Sequence, residues 1–545
     1  MFRFSNPCRR DCPVAQLEER RATNADAAGS NPAGAIPTLP LLSEIVMPDS
    51  STHPFIETGD ATAILPLPND QKPINVIGTD AIRRTFDDGC MRQAINSAMA
   101  PGVSNLVLNP DAHVGYGTPV GCVMTSPSHI YPGPVGVDIK CSMSLLAFDI
   151  DEDAVRDKRT RRALIDAICE RTPTGTGRGQ RNVPKSRPVD LALGTQAVVE
   201  GASQSVCEQL GIPPHWASRC EDSQHVAHDG SPDTLRARLE QLASSGRNKQ
   251  RIPATMGQLG SYGGGNHFGE CEVVRVDPSD RARAVAETFG LRDGGVAFLS
   301  HCGSRGFGHD LASGQFKALE KHFVDWGIPM PGGDRQLVHA PLGSPEANAY
   351  LDDMALGANF ATVNHLLINA LVLEAFQEVF PGITGDLVYF ISHNIARREP
   401  IDNRMEWVHR KGATRAFPAG HPGLKGTPFE STGHPILLPG NPQAGSAVMV
   451  ADPDARKSCF SVNHGAGRIM GRKAAARTLN QREINQSFDN TDILTNCRNY
   501  PIDEAPAAYK DFDEVLASVK RAGLASEVAR LHARFVIKDG DKPDD

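Results

Sequence analysis

The order of strand-like and helix-like segments limits the possible folds of this chain more than any other feature. Short apolar runs bounded by turn residues predict buried strands, among them "SNLVLNP", "SMSLLAFDI", "GVAFLSHCG" and "DLVYFISHN". Helical spacing of apolar residues predicts helices over 153–170, 234–244, 346–379 and 512–531. Because strands and helices are mixed without regular βαβ alternation, the sequence favours an α+β fold over a doubly wound sheet.

The N-terminal segment differs from the rest of the chain. Residues 1–46 lack hydrophobic periodicity and the apolar core of a secretory signal. "GSNP" in this segment is what the T-arm of a tRNA gene encodes when it is read as protein. We therefore expect translation to begin at Met47, with 1–46 a spurious extension; a disordered leader is the alternative. Residues 47–545 then form the functional domain.

Charge and cysteine content narrow the function classes. The formal net charge of −8 gives no overall electrostatic footprint for nucleic acid, so an RNA site requires a local basic surface. The 12 cysteines show no disulfide-type spacing and no C-x-x-C pair, which predicts a reducing, cytoplasmic location. No run of about 18 apolar residues occurs, so no membrane span is expected.

A glycine-spaced run around His464 is the most unusual local pattern. "SVNHGAGRIMGRKAAARTL" begins at Ser461 and passes into good helix formers, which places His464 at the mouth of a predicted helix. Free amide groups at a helix N-terminus attract anions. A histidine there fits a phosphate ligand, a metal ligand, a nucleophile or a structural residue.

Metal-ligand residue types occur at the ends of predicted strands. They are His267, His301 and His393, together with Asp138 and Cys141 in "GVDIKCSM". One carboxylate, one thiolate and three imidazoles suit Mn, Zn, Fe or Co better than Mg or Ca. A thiolate has several lone pairs, so Cys141 can bridge two ions at the spacing used in phosphoryl transfer. Cys302 follows His301 on an extended segment, so its side chain should point to the opposite face.

The motifs together resemble one family, the RtcB-type RNA-splicing ligases, as a divergent paralogue. The matching strings are spread in family order over roughly 78–540: "DAHVGYGTPVG", "GVDIKCSM", "GGGNHFGE", "SHCGSRGFGH", "NFATVN", "SHNIARRE", "HRKGATRAFPAGHP", "NHGAGRIMGR" and "EAPAAYKDFDEV". The resemblance implies a single large catalytic domain, with mixed β-sheets surrounded by helices and a central metal and nucleotide cleft. It also implies joining of RNA 3′-phosphate or 2′,3′-cyclic phosphate ends to 5′-hydroxyl ends.

By the same resemblance, the histidine of "HGAGR" attacks GTP and becomes a covalent His–GMP adduct; here it is His464. Two manganese ions are implied, one held by Asp138, Cys141 and His267 and the other by Cys141, His301 and His393. The implied nucleotide-binding residues are Asn266, His267, Phe268, Gly269, Glu270, His393, Asn394, Pro439, Gly440, Asn441, Pro442, Ser446, His464, Gly465, Ala466, Gly467 and Lys538. The RNA-phosphate contacts expected are Arg305, Arg410, Lys411, Arg415 and Arg468; a structural ion-pair role for Arg305 and a solvated side chain for Lys411 are the alternatives. Asp111 and His113 are expected to support the site or handle RNA.

The sequence departs from the family pattern at several places. Lys140 and Ser142 stand where the metal motif has glycines, and a lysine cation beside the metals is unfavourable unless it points away or meets phosphate. The resemblance implies that a loop recognises guanine, here "PGNPQAGSA" (439–447, the guanine loop). Asn441-Pro442-Gln443 departs from the family pattern in this loop, so a strict GTP preference does not follow, and His365 stands where arginine is usual.

The expected partner is RNA, either tRNA halves or cleaved RNA, with an activating accessory protein as a further possibility and no membrane. Two alternatives to the ligase stay open at this point. One is a metal-dependent RNA phosphodiesterase that does not use His464, and the other is a non-catalytic RNA-binding paralogue.

Overall fold

The computed structural model describes residues 55–68, 71–175, 187–244 and 248–540. The predicted leader, 1–46, lies outside the described residues, so its boundary stays a prediction. The fold is α+β, as the order of segments predicts.

The strands of the described residues belong to two large sheets and two short two-stranded antiparallel sheets. In chain order they are β1 (Ile56–Gly59), β2 (Thr62–Leu65), β3 (Ile74–Ile77), β4 (Asn105–His113), β5 (Val120–Ser126), β6 (His129–Ile130), β7 (Ser142–Asp151), β8 (Phe268–Val276), β9 (Gly295–Cys302), β10 (Ala340–Pro341), β11 (Gly385–Ser392), β12 (Asn394–Ile401), β13 (Arg404–Lys411), β14 (Ala413–Arg415), β15 (Pro435–Asn441), β16 (Gly445–Ala451), β17 (Ser461–Asn463), β18 (Leu494–Thr495) and β19 (Ala525–Lys538). The two short sheets are β6–β10 and β14–β17. The four apolar runs noted above all form strands: β4, β7, β9 and β11.

The α-helices surround these sheets. In chain order they are α1 (Asp80–Arg83), α2 (Asp88–Ala98), α3 (Lys158–Arg171), α4 (Leu191–Glu200), α5 (Gln204–Leu210), α6 (Pro232–Ser244), α7 (Asn248–Met256), α8 (Asp280–Phe289), α9 (Arg305–Trp326), α10 (Pro345–Val379), α11 (Arg472–Thr478), α12 (Gln481–Thr491) and α13 (Phe512–Arg521).

Two sheets define the architecture. A 7-stranded sheet has the order β1-β2-β3-β4-β5-β13-β12, and an 8-stranded sheet has the order β11-β7-β9-β8-β19-β16-β15 with β18 beside β19. Pairing is mostly antiparallel; β3–β4 and β18–β19 are parallel. The chain passes from the second sheet to the first at residue 393, between β11 and β12. Residues near this crossing therefore contact both sheets.

Helix α10 is the main core helix. Ser344 caps its N-terminus by accepting a hydrogen bond from the amide of Ala347, and Pro345 occupies its first turn. It packs against α3, α4 and α9, and most of its residues are buried. Length and a mean hydropathy of 1.4 would allow it to cross a membrane, but 94% of that window is buried inside the protein, as in a globular core helix. The expected lack of a membrane partner stays a prediction.

Two secondary-structure predictions are wrong. The helix predicted over 512–531 stops at Arg521, because Gly523 takes a left-handed φ of +73° and Ala525–Lys538 pairs with β8 and β16 as a central strand. His464 does not lie at a helix mouth either. It follows β17 directly, and α11 begins only at Arg472.

Candidate active site

Four strand ends of the 8-stranded sheet place the predicted metal ligands together. Strands β11 and β9 end on one side of this sheet, and their antiparallel neighbours β7 and β8 begin on the same side. The register aligns them, since Ser142 pairs with both Ser392 and Cys302, and Phe268 pairs with His301. Cys141, His267 and His393 each stand one residue outside a strand, and His301 lies one residue inside β9. Sheet topology therefore brings distant sequence positions to one place.

Asp138, Cys141 and His267 form the first ligand group. Their ligand atoms all lie within 4.8 Å of one another. His267 Nε2 is 2.9 Å from Asp138 Oδ2 and 3.5 Å from Cys141 Sγ. Burial raises the pKa of Asp138, but the hydrogen bond and charge of His267 outweigh burial and lower the pKa to about 2. The group thus includes a carboxylate that is ionised at neutral pH.

Cys141, His301 and His393 form the second group, so Cys141 belongs to both. Their ligand atoms also lie within 4.8 Å of one another. His301 Nε2 is 3.1 Å from Cys141 Sγ and 3.3 Å from His393 Nε2. Burial, together with the neighbouring imidazoles, lowers the pKa values of His301 and His393 well below the ordinary range. Both imidazoles are therefore neutral, the form in which they bind metal.

Backbone carbonyls orient two of these imidazoles. His267 Nδ1 donates to the Tyr262 carbonyl at 3.0 Å, and His301 Nδ1 donates to the Asn266 carbonyl at 3.1 Å. His301 Nε2 then faces Cys141 Sγ at 3.1 Å, and His267 Nε2 faces Asp138 Oδ2 and Cys141 Sγ, as in metal-binding histidines with an oriented second nitrogen. Buried nitrogen, sulfur and carboxylate oxygen atoms that point towards one another form a site into which one or two divalent metal ions fit. The five residues fit the pair of ions that the resemblance implies.

His464 lies beside the second group. Its ring centroid is 4.8 Å from that of His393, and its side chain is 16% exposed. Asp111 Oδ2 accepts hydrogen bonds from His464 Nδ1 at 2.6 Å and from the His464 amide at 3.1 Å. The carboxylate therefore holds the proton on Nδ1 and leaves the Nε2 lone pair available for nucleophilic attack.

Glycines make this close approach possible. A Cβ at Gly467, where φ is +73°, would lie 2.4 Å from the Asp111 carbonyl oxygen. A Cβ at Gly121 would lie 2.5 Å from Asp111 Oδ1. Side chains at either position would push Asp111 away from His464.

The predicted guanine loop contacts the His464 loop. The Ala466 amide donates to the Pro439 carbonyl at 3.1 Å, and a Cβ at Gly465 would lie 2.8 Å from that oxygen. Pro439, Gly440 and Asn441 end β15, Pro442 follows in the turn, and Ser446 pairs with Pro439 from β16. The predicted nucleophile and these loop residues are thus neighbours.

A second set of predicted nucleotide residues lies where β8 meets β19. Lys538 pairs with Phe268 in the sheet, its Nζ is 5.8 Å from the Phe268 ring, and it donates to Glu504 Oε2 at 3.3 Å. Gly269 and Glu270 follow Phe268 in β8. Burial raises the pKa of Glu270 to about 8, with Lys538 opposing it, and Glu270 Oε1 has no hydrogen-bond partner among the described residues. Burial thus favours the protonated carboxyl group, and a ligand that donates hydrogen bonds to this buried oxygen would favour the ionised form.

Two of the three predicted asparagines, Asn266 and Asn394, lie beside the metal ligands. Asn266 is exposed and precedes His267. Asn394 begins β12, where its Oδ1 accepts from the Gly412 amide at 2.9 Å and its side-chain amide donates to the Asp138 carbonyl at 3.4 Å. Asn394 therefore fixes the loop that carries Asp138.

Two predicted RNA contacts are buried and paired with carboxylates in the structure. Arg410 is fully buried and donates to both carboxylate oxygens of Glu399, at 2.9 and 2.7 Å. Arg415 is also buried and pairs with Glu399, Glu221 and Asp222. Buried guanidinium groups that are already paired do not reach an RNA backbone in this structure.

The remaining predicted RNA contacts are also engaged within the protein. Lys411 is buried, not solvated, and its Nζ donates to the Tyr116 carbonyl; burial lowers its pKa to about 7. Arg468 donates to Glu504, to the Asp503 carbonyl and to the Met470 carbonyl. Arg305 is partly buried and donates to Ser261 Oγ and the Gly175 carbonyl, which are structural hydrogen bonds but not the ion pair of its structural alternative. Contact with RNA at these positions stays a prediction.

Sequence reasoning undervalued two acidic residues. Asp111 was expected only to support the site, yet it directly orients His464. Glu504 was not selected, although it accepts hydrogen bonds from Lys538, Arg468 and Tyr509. Both residues lie in motifs that carry the family resemblance, "DAHVGYGTPVG" and "EAPAAYKDFDEV". Their location in these motifs is the sequence feature that could have identified them as site residues.

Comparison with known proteins gives consistent matches. The family model described as tRNA-splicing ligase RtcB matches residues 93–539. A tRNA-splicing ligase RtcB from Thermococcus kodakarensis is 35% identical over 472 residues, which is 84% of this chain and 92% of that protein. One from Pyrobaculum aerophilum is 33% identical over 490 residues, or 86% and 96%. The RNA-splicing ligase RtcB of Mycobacterium tuberculosis is 35% identical over 457 residues, or 81% and 98%.

Proposed function

The chain belongs to the RtcB family of RNA ligases, and from that premise we propose that it joins RNA ends through a covalent GMP adduct on His464. The ends joined are a 3′-phosphate, or a 2′,3′-cyclic phosphate, and a 5′-hydroxyl. One observation carries the proposal. The imidazole of His464 is held by Asp111 at 2.6 Å and lies beside His393 of the ligand groups.

In the first step, His464 Nε2 attacks the α-phosphorus of GTP. A P–N bond forms, the bond from the α-phosphorus to the bridging oxygen breaks, and pyrophosphate leaves. The imidazole acquires positive charge in this step, and the Asp111 carboxylate on Nδ1 stabilises that charge. Gly465 and Gly467 add no side chain next to the ring, as the approach of a phosphate requires.

Asp138, Cys141, His267, His301 and His393 would hold two Mn²⁺ ions. Bound there, the ions would neutralise charge on the phosphates in an in-line displacement. The oriented Nε2 atoms and the shared Sγ of Cys141 fix where such ions can sit. The soft thiolate and the imidazoles favour Mn, Co or Zn over Mg.

A 2′,3′-cyclic phosphate is first opened by water, which attacks the phosphorus and breaks its bond to the 2′-oxygen, so that a 3′-phosphate forms. In the later steps, an oxygen of the RNA 3′-phosphate attacks the phosphorus of the adduct, and the P–N bond to His464 breaks. The 5′-hydroxyl oxygen then attacks the phosphorus of the 3′-phosphate, the bond from that phosphorus to the bridging oxygen breaks, GMP leaves and the hydroxyl proton passes to solvent. Glu270 offers a buried acceptor of the kind that matches the N1–H and N2–H donors of guanine, with Lys538 nearby. We extend the proposal to tRNA halves or cleaved RNA as substrate, an activating accessory protein as partner, and a cytoplasmic location.

Transfer of label from α-labelled GTP to protein tests the proposal. With Mn²⁺ present, the wild-type chain is expected to retain an acid-labile label, and His464→Ala is expected to retain none. His228→Ala is a matched control, because His228 Nδ1 also pairs with a carboxylate, Asp352, at 2.9 Å but lies outside the site. It should label like the wild type.

Two results would overturn the proposal. One is the absence of any adduct across all four nucleotides and several divalent metals. The other is RNA cleavage that needs metal but neither nucleotide nor His464, which would support a phosphodiesterase instead.

A further inference from the structure

Lys140 occupies a backbone position that suits glycine. It lies between Asp138 and Cys141, and its φ of +54° is in the left-handed region, which side chains other than those of Gly, Asn and Asp rarely adopt. The metal motif of the family has a glycine here. Since a lysine in this conformation is strained, surrounding contacts must hold it.

Those contacts direct the cation away from the ligand groups. Lys140 is 1% exposed, and its Nζ donates to the Asp222 carbonyl at 2.7 Å, the Glu221 carbonyl at 3.2 Å and Thr362 Oγ1 at 2.8 Å. His225 Nε2 lies 2.7 Å from the same nitrogen, and the Phe390 ring centroid 5.1 Å away. Three N–H donors meet at least three acceptors, so the buried ammonium is satisfied. The sequence-based concern about a cation beside the metals is resolved by its direction.

The partners of Lys140 are themselves connected to the second ligand group. Glu221 Oε2 accepts from the amide of Ser392 at 2.8 Å, immediately before His393. The Lys140 amide donates to the Asn394 carbonyl at 2.7 Å, immediately after His393. The His393 amide in turn donates to the Cys141 carbonyl at 2.9 Å. Hydrogen bonds at Ser392, His393 and Asn394 thus connect the segment around His393 to the loop that carries Asp138 and Cys141 and to Glu221.

We propose that Lys140 is a positioning residue that fixes the distance between the two ligand groups by tying the 138–141 loop to the 221–225 segment. The proposal rests on the proposed function, since it assumes that both groups bind metal. Where the family has a glycine, this chain has a lysine whose ammonium group holds the 138–141 loop in place. Loss of its hydrogen bonds should therefore weaken metal binding at both ligand groups.

Metal affinity, measured on metal-stripped protein by Co²⁺ titration, tests the proposal. Thiolate-to-cobalt charge-transfer absorption reports Cys141, and the visible d–d bands report the geometry of the ions. Lys140→Met keeps the strained backbone and removes the ammonium, so its Co²⁺ affinity should fall about 10–100-fold, as for other residues that orient metal ligands. Lys140→Gly also removes the ammonium but relieves the strain, so its affinity should lie between those of Lys140→Met and the wild type.

Arg238→Met is the matched control for lost stability. Arg238 is a largely buried cation paired with Asp353 at 2.8 Å, and it lies away from the ligand groups. This variant should lose thermal stability but keep the wild-type Co²⁺ affinity and spectrum. If Arg238→Met weakened Co²⁺ binding as much as Lys140→Met, a general loss of stability would explain both, and the proposal would be wrong.

The remaining outcomes are distinguishable. Co²⁺ binding by Lys140→Gly that equals or exceeds wild-type binding would overturn the positioning role of Lys140. A wild-type protein whose cobalt spectrum lacks a thiolate band, and matches that of Cys141→Ser, would instead overturn the proposed metal site and with it both proposals.

Discussion

Two buried polar clusters lie close together along strand β12 and its preceding residue, and they differ in how their charges are balanced. The ligand cluster consists of Asp138, Cys141, His267, His301 and His393. The arginine cluster consists of Arg397, Arg410 and Arg415 with Glu221, Asp222 and Glu399. In the arginine cluster carboxylates and guanidinium groups face each other directly, with distances of 2.9 Å for Arg415–Glu399 and 2.7 Å for Arg410–Glu399.

The ligand cluster is balanced only in part. Asp138 faces His267 Nε2 at 2.9 Å, but Cys141 Sγ, His301 Nε2 and His393 Nε2 face one another, and burial together with the neighbouring imidazoles lowers the pKa values of His301 and His393. Burying lone pairs without donors costs free energy, so an arrangement of this kind fits a ligand that supplies positive charge. Burial and charge alone therefore do not identify a ligand site, whereas lone pairs that point towards one another do.

The largest expected effect is the loss of the arginine cluster's central carboxylate. Glu399→Leu leaves Arg410 and Arg415 without their shared partner in a buried place, so the free energy of unfolding should fall by about 3–5 kcal/mol. Urea denaturation of the metal-stripped protein measures this. Asp153→Asn is the control, because Asp153 and Arg156 are about three-quarters exposed and their pair should contribute at most about 1 kcal/mol. Equal losses in the two variants would contradict the assignment of the arginine cluster as structural.

Lowering the pH should weaken the stabilising ion pairs of the arginine cluster. Burial raises the pKa of Glu399, but Arg410 and Arg415 outweigh burial and hold it below its ordinary value of 4.5. A carboxyl group with a lowered folded-state pKa contributes its full stability above the unfolded-state value and loses it as the pH falls through the folded-state value. The stability difference between wild type and Glu399→Gln should therefore be constant above about pH 5.5 and shrink steadily below about pH 4.5. A difference that grew on acidification would contradict this.

The next largest expected effect is the stabilisation of the folded protein by metal bound at the ligand cluster. Adding Mn²⁺ or Co²⁺ to the stripped protein at 100 times its dissociation constant should raise the free energy of unfolding by about 2.7 kcal/mol per ion. Thermal or urea unfolding with and without metal measures this. Cys141→Ser removes the shared ligand and should abolish most of the increase, whereas Glu399→Gln should retain it. Equal stabilisation of wild type and Cys141→Ser would show that the metal binds elsewhere.

The sequence allowed the ligand cluster to be predicted because its residues stand at the ends of apolar runs. Such runs are local signals, and antiparallel pairing then brings their ends to one edge of a sheet. The five residues do meet, although their metal binding stays a proposal. The order of segments likewise predicted the α+β class and four strands correctly.

Features that depend on distant partners were not predictable in the same way. Residues 525–531 have helical spacing, yet their pairing with β8 and β16 outweighs local preference. Arg410 and Arg415 sit in a basic string that looks solvated, and only the fold reveals Glu399 opposite them. The glycines after His464 predicted a helix mouth, whereas in the structure Gly467 allows the close approach of Asp111 and Gly465 that of the Pro439 carbonyl.

The smallest expected effect separates two thiols of neighbouring strands. Cys302 Sγ donates toward the Ser261 and Tyr262 carbonyls at 3.3 and 3.0 Å, on the face away from the ligand cluster. Serine can keep these hydrogen bonds, so Cys302→Ser should lower the free energy of unfolding by only about 1 kcal/mol. Its Co²⁺ stoichiometry and thiolate absorption should equal those of the wild type. Cys141→Ser should lose the thiolate band under the same conditions. Only a sulfur that coordinates cobalt produces the thiolate-to-cobalt band. If Cys302→Ser lost this band and Cys141→Ser kept it, Cys302 and not Cys141 would be the bridging ligand.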